Sequence, residues 1–303
     1  MAELAQSTPP LNNPPVMEQS DDKVISPWKD AWRSFKKNKL AMVGLGIVVF
    51  FILIAIFAPL LAPYSFSDQK LADKHLAPSG EHWFGTDEFG RDIFSRVLYG
   101  ARISLWVGFV SVAGSVIVGS ALGIIAGYYG KIVDGIISRI FDILLAFPSI
   151  LLAIAVVSVL GPSLRNALIA IAIINVPIFG RLVRSRVLSV KEEEYITAAK
   201  AIGMKDSRIL IHHVLPNSMA PIIVQGTLAI ATAIIEAAAL GFLGLGAQPP
   251  TPEWGKMLAD SRDFIIQAPW TVIFPGLAIM LTVLGFNLMG DGLRDALDPR
   301  MKS

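Results

Sequence analysis

Glu236 is the only acidic or basic residue between Val214 and Pro252. A charge at the centre of a bilayer costs at least ~2.5–3.5 kcal/mol on the translocon-insertion scale. Such a residue is expected to face a water-filled path, to meet a partner, or to sit protonated or hydrogen-bonded in a helix contact. Gln225 lies in the same run, and Asn175 lies beside Pro177 in another. Their amides can hydrogen-bond a peptide backbone or tie two helices together, and the residues alone leave both readings open.

The most charged stretch inside the apolar part of the chain is YITAAKAIGMKDSRILIHHVLPN, Tyr195 to Asn217. Ser189 and Glu192 have the spacing of a capping box, which predicts a helix starting near Val190. Tyr195, Ala198, Ala199 and Ile202 then recur at i, i+3, i+4 and i+7, forming one apolar stripe with small residues at its centre. Gly203 is expected to end that helix, because it tolerates positive φ. Lys200 and Lys205 flank the stripe. A second short helix is expected from Arg208 towards Leu215, capped by Asp206 or Ser207, with Pro216 near the entry to the next apolar run. A stripe of this kind can dock into a partner's groove, or it can lie as a linker on the membrane surface.

Other chemistries are excluded or weakly supported. The chain contains no cysteine, which rules out disulfides, thiolate nucleophiles and cysteine metal sites. Gly130-Lys131 is followed by Ile132 and Gly255-Lys256 by Met257, so there is no G-x-x-x-x-G-K-[ST] phosphate loop. His212 and His213 are neighbours, about 100° apart on a helix, and His75 and His82 are isolated, so no metal site is expected. Arg139 and Asp142, spaced i, i+3, are expected to pair with each other. No catalytic residue is assigned.

The elements that must carry these residues are membrane spans. Hydrophobic residues make up 53% of the chain and charged residues 17%, against about 45–50% and about 25% in ordinary soluble domains. The mean hydropathy is +0.59. Long uncharged runs, each meeting the ~20 residues needed to cross ~30 Å of hydrocarbon, place spans at Leu40–Ser67, Ile103–Gly130 and Ile143–Leu164. A fourth is expected over Asn166–Gly180, extended through Arg184 by snorkelling stems, and a fifth and sixth within Val214–Pro252 and Phe264–Gly290. Residues 1–26, rich in Pro, Asn, Gln and Ser, read as a disordered tail, and 27–39 as a basic segment. The run at Leu40 is too long for a signal-peptide core and reads as a retained anchor. Of the 26 lysines and arginines, 18 fall on the side of the N-terminus and eight on the other, so both termini and the loop 188–217 are expected to be cytoplasmic. Segments 67–102 and 246–263 then face outward, folded on the outer mouth or meeting a partner. Ser111, Ser115, Gly119, Gly123 and Gly127 form a small-residue ridge suited to close helix packing, within the chain or with a partner.

The 195–217 stretch resembles the cytoplasmic signature loop of ABC importer permeases, matched at Ala198, Ala199, Gly203, Leu215 and Pro216. Thr197 stands in place of the loop's glutamate and His213 in place of its usual isoleucine. FGTDEFGRDIFSRVLYGARISL, AALGFLGLGAQPPTPEWGKML and FNLMGDGLRDALDPR are similar to the C-type permease subunit of dipeptide, oligopeptide and nickel ABC importers. That resemblance implies an all-α, polytopic type I importer permease with six transmembrane helices over 40–303, in a bacterial inner membrane. It implies a paired permease, two cytoplasmic ATPase subunits that bind the ATP and magnesium, and an external solute-binding protein, with no cofactor in this chain and no nucleic-acid partner. Tyr195, Ala198, Ala199, Ile202, Gly203 and Lys205 would form the ATPase coupling helix, and Glu236, Gln225 and Asn175 are candidates for the path. Dipeptides or short oligopeptides are the expected substrates. Nickel, glutathione or haem, a membrane scaffold, or a secondary transporter coupled through Glu236 or Asp142 are the alternatives.

Overall fold

The computed structural model describes residues 27–297, and the tail expected over 1–26 lies outside them. Among the described residues every regular element is helical. In chain order these are α1 (Pro27–Lys37), α2 (Lys39–Leu61), α3 (Ile93–Tyr129), α4 (Lys131–Leu145), α5 (Ser149–Leu160), α6 (Leu164–Val190), α7 (Glu194–Ala201), α8 (Asp206–Ile209), α9 (Leu215–Phe242), α10 (Trp254–Ser261) and α11 (Trp270–Leu297). Five helices are long and apolar enough to cross a membrane: α2, α3, α6, α11 and the unit Asp206–Phe242 that includes α9. The pair α4 and α5, bent by 95° at their junction, adds a sixth crossing if the two count as one broken span.

That bend corrects the expected third span. Ile143–Leu164 is interrupted at Phe147-Pro148, where Pro148 has φ −56 and ψ 132 and cannot continue α4. The fourth span needs no such correction, since α6 starts on the Ser163 cap, whose side chain accepts from Asn166 N at 3.1 Å. Other boundaries shift. α3 begins ten residues before the expected Ile103, at the Asp92 cap, so the last ten residues of the segment assigned outside are helix. α2 stops at Leu61 before Pro63, α9 stops at Phe242, and α11 begins only at Trp270 and runs on to Leu297.

α3 is the central post, packed along α6 and also against α2 and α9. The small-residue ridge is what allows it. A Cβ on Gly119 would come within 2.6 Å of the Val176 carbonyl oxygen, and one on Gly123 would overlap the Gly180 carbonyl. Ser115 Oγ donates to the Ala172 carbonyl at 3.0 Å. The ridge therefore serves α6 of the same chain. Outward-facing Leu40, Val43, Phe50, Ile56, Ile117 and Ile136 leave an apolar surface for lipid.

The two segments expected to face outward, 67–102 and 246–263, fold onto the ends of the spans. Arg96 is 2% exposed; it donates to the Phe66 carbonyl at 2.9 Å and the Pro250 carbonyl at 3.3 Å, joining the two segments. Asp87 accepts from Arg91 Nε at 2.6 Å and lies 3.5 Å from Arg96 Nε. Trp254, fully buried, donates Nε1 to the Val97 carbonyl at 3.1 Å and fills the notch left by Gly100. Glu253 caps α10 through the Gly255 and Lys256 N–H groups, both at 2.8 Å. Burial pushes its carboxyl up from the usual carboxylate range, and those two bonds pull it back. Trp254→Ala removes a whole indole from this joint and should cost about 3–5 kcal/mol. The thermal midpoint of the chain in detergent, followed by fluorescence-detected size exclusion, should fall clearly below wild type; an unchanged midpoint would remove the joint from the account.

Candidate coupling surface and intramembrane polar pair

The loop between α6 and α9 is built on its own small core. Ile196 and Ala199 of α7 pack with Val183 and Val187 of α6, Ile209 of α8, and Val214 and Ile222 beyond it. The expected stripe is thus split: Ala199 is buried, whereas Ala198 is exposed, Tyr195 is 44% exposed and Ile202 is 78% exposed. Ile196, one residue after Tyr195, is the inward anchor that the stripe missed. Its signal was the i, i+3 pair it makes with Ala199, with Ile196 itself about 100° around the helix from Tyr195.

The expected capping box does not form. α6 keeps its buried face through Val183 and Val187, so Ser189 stays helical and its carbonyl accepts from Glu192 N at 3.4 Å. α7 starts instead after Glu193, without a side-chain cap. At its other end Gly203 has φ +77, its N–H reaches the Lys200 carbonyl at 3.0 Å, and Met204 N–H reaches the Ala199 carbonyl at 3.0 Å. This is a Schellman stop, completed by Met204 packing on the core that holds Ala199.

The second helix begins earlier and does not end before the span. α8 starts at Asp206 after an extended Lys205 and passes through a π turn, Leu210–Val214, directly into α9. Pro216 has no N–H, and its ring would press on a carbonyl four residues back in a regular helix. The wider turn, with Leu215 N–H bonded to the Leu210 carbonyl, absorbs that mismatch. Two tethers fix the loop to the bundle: Tyr128 OH donates to Asp206 at 2.5 Å, and Lys200 Nζ sits 5.3 Å from the Tyr128 ring centre. Tyr195 OH accepts from Asn217 Nδ2 at 3.2 Å. What remains outward is a short face of Tyr195, Ala198 and Ile202 with Lys200 and Lys205 exposed beside it.

Ion pairs join α6, on which the loop's core rests, to α4. Arg184 of α6 forms a bidentate pair with Asp134 of α4. The expected Arg139–Asp142 pair is absent: Asp142 accepts from Arg181 at 2.6 Å, across the α4–α6 contact, and Arg139 points outward. A cross-helix guanidinium reaches that carboxylate, so the local pairing is displaced.

Of the intramembrane candidates, Asn175 and Glu236 are brought together. Asn175 Nδ2 donates to Glu236 Oε2 at 3.2 Å and to the Ile171 carbonyl at 2.9 Å, with the two residues 3% and 8% exposed. They join α6 to α9 and do not line an open face of this chain; Gln225 stands apart and half-buried. Of the readings left open for Glu236, the hydrogen-bonded helix contact is the one seen within this chain. Glu236→Gln keeps an oxygen for Asn175 and should leave uptake within about twofold of wild type, as expected for a neutral replacement within one hydrogen bond. A loss of tenfold or more would place Glu236 on the path. Among the described residues no group of three or more His, Asp or Glu is placed to hold a metal.

This arrangement has close relatives. Residues 119–303 match the family model for the binding-protein-dependent transport system inner membrane component, and residues 26–78 match the N-terminal TM domain of oligopeptide transport permease C. The chain is 68% identical to the dipeptide transport system permease protein DppC of Alkalihalophilus pseudofirmus over 98% of this chain and 97% of that one. It is 49% identical to the di/tripeptide transport system permease protein DppC of Pseudomonas aeruginosa, over 97% and 98%. It is 50% identical to the glutathione transport system permease protein GsiD of Escherichia coli, over 96% of each chain. In fold it is similar to a chain from inward-facing structures of the MetNI methionine ABC transporter, with a TM-score of 0.53, 19% identity, and coverage of 68% of this chain and 98% of that one. A multi-pass helical bundle with a self-supporting loop between α6 and α9 thus joins two family matches that together reach most of its length, and the chain belongs to the binding-protein-dependent transport system inner membrane components, among the C-type permeases.

Proposed function

We propose that this chain forms half of the membrane path of an ATP-driven importer of dipeptides or short oligopeptides. The observation that carries the reading is the outward face of α7. The helix is held in place by an internal core and its tethers, yet Ala198 and Ile202 are exposed, and so is much of the Tyr195 ring, although its hydroxyl is engaged by Asn217. A chain without a phosphate loop needs its work delivered from outside, and a rigidly mounted helix gripped by a moving ATPase would turn nucleotide-driven closure into tilting of α6 and α9. The partners are a second permease, two cytoplasmic ATPase subunits that bind ATP and magnesium, and an external solute-binding protein. Both termini and the α7 loop lie on the cytoplasmic side of the inner membrane, and this chain catalyses no reaction.

Dipeptides are favoured as cargo because the relative that shares 68% of its residues carries that name. Glutathione, named for relatives at 50% identity, is the second reading. Reconstitution of the permease pair with its ATPases and binding protein in proteoliposomes separates the two. ATP-dependent accumulation of a labelled dipeptide, with little competition from glutathione, is the expected result. Accumulation driven by a proton or sodium gradient without ATP would overturn the importer reading, and uptake of glutathione alone would overturn only the cargo.

A further inference from the structure

α1 is not accounted for by transport or coupling. Ala31 and Phe35 point inward, where Phe35 packs with Ala41 and Ala296, close to Gly292 of α11. Asn38 breaks the helix, caps α2 by accepting from Ala41 N at 3.2 Å, and donates to Asp295 at 3.5 Å. The other face is basic. Lys29, Arg33 and Lys37 recur at i, i+4 and i+8 opposite Phe35, with Lys36 beside them and Lys39 just beyond. All five are exposed, and none forms an ion pair among the described residues. Asp30 is the one acidic residue on the helix.

Position identifies what meets these cations. α2 begins one residue after Asn38, and Leu40, Met42 and Val43 in its first turns are already exposed apolar side chains of a membrane span. α1 therefore lies at headgroup level. Trp32, 49% exposed, stacks on Phe35 at 5.7 Å with Lys36 Nζ 5.1 Å from its ring centre. An amphipathic ring held at the edge of a basic face is the arrangement that suits a lipid interface.

We propose that the basic face of α1, with Trp32 at its edge, is a binding surface for anionic phospholipid headgroups. Lys29, Arg33, Lys36 and Lys37 supply the charge, Trp32 the contact with glycerol and upper acyl chain, and the Phe35 anchor ties the bound lipid to the end of α11. The inference needs only that α2 spans the membrane, and it is independent of cargo and of which leaflet is met.

The full chain, purified in detergent, is titrated with phosphatidylglycerol or phosphatidylcholine, and bound lipid is counted by native mass spectrometry. Phosphatidylglycerol should bind about tenfold more tightly, as expected for several basic residues acting at one surface. The preference should vanish in Lys29→Gln/Arg33→Gln/Lys36→Gln/Lys37→Gln, survive in Lys29→Arg/Lys36→Arg/Lys37→Arg, and survive in Arg165→Gln, which removes an exposed cation elsewhere. Raising the ionic strength should weaken phosphatidylglycerol alone in the wild-type chain, a readout that requires no variant to fold. Glycerol phosphate, which lacks acyl chains, should not compete. Equal binding of the two lipids to wild type, an undiminished preference in the glutamine variant, or binding insensitive to salt would each overturn the proposal.

Discussion

Gly123→Leu should leave no folded chain to purify. At this position α3 and α6 touch backbone to backbone: a Cβ would overlap the Gly180 carbonyl and come within 3.1 Å of Arg184 N. Overpacking between side chains typically costs about 1–3 kcal/mol because rotamers can yield. Here the obstacle is main chain on a helix whose hydrogen bonds hold it, and the neighbouring contacts of Gly119 and Gly127 prevent α6 from sliding to make room. Separation of the helices would also pull Ser115 from the Ala172 carbonyl. Gly46→Leu is the matched control, since a Cβ there meets nothing within 4 Å on the lipid-facing side of α2. The yield of monodisperse protein should collapse for Gly123→Leu and hold for Gly46→Leu. Similar yields for the two would remove the close α3–α6 contact from the account.

Ala198→Arg should abolish uptake while leaving the chain folded and paired. Ala198 is exposed on α7 and takes no part in the loop's own core, so a long charged side chain disturbs nothing inside the protein. At the centre of a docking face it would hold a partner groove away. Loss of a single anchor at an interface commonly costs about 2 kcal/mol or more, roughly 30-fold in affinity. ATPase subunits should then fail to co-purify, and transport should stop, with the second permease still bound. Ile196→Arg, two residues away on the opposite face, should instead melt the loop, because it places a charge among Val183, Val187 and Ile209. Gly203→Val is a less clean probe: its Cβ has open space, but φ +77 would be strained by about 1–3 kcal/mol. Normal uptake by Ala198→Arg would argue that α7 faces no partner.

The contrast between positions 196 and 198 shows how far the residues alone can be read. Spans of uncharged residues were legible because charge in lipid is costly, and α2, α6, α9 and α11 lie largely where those runs do. The break at Pro148 was hidden, since a bent apolar pair has the same composition as a straight span. Gly203 was readable as a helix stop because only its φ matters there. The stripe on α7 was misdirected: apolar periodicity identifies a face but not which of two neighbouring faces the chain itself covers. Arg96 offered no local cue either, for the carbonyls that hold it lie 30 and 154 residues away. The pairing of Asn175 with Glu236 was not legible, because it depends on how α6 crosses α9.

Because the chain has no cysteine, Ala198→Cys creates a unique thiol at the centre of the α7 face and gives the most direct test of the coupling account. A membrane-impermeant maleimide should label it only after cells are opened to expose the inner membrane surface. Assembly with the ATPase subunits should block that labelling, and a short bifunctional cross-linker should join the two chains. Labelling from the outside of intact cells, or labelling equally fast with and without bound ATPase, would contradict the account.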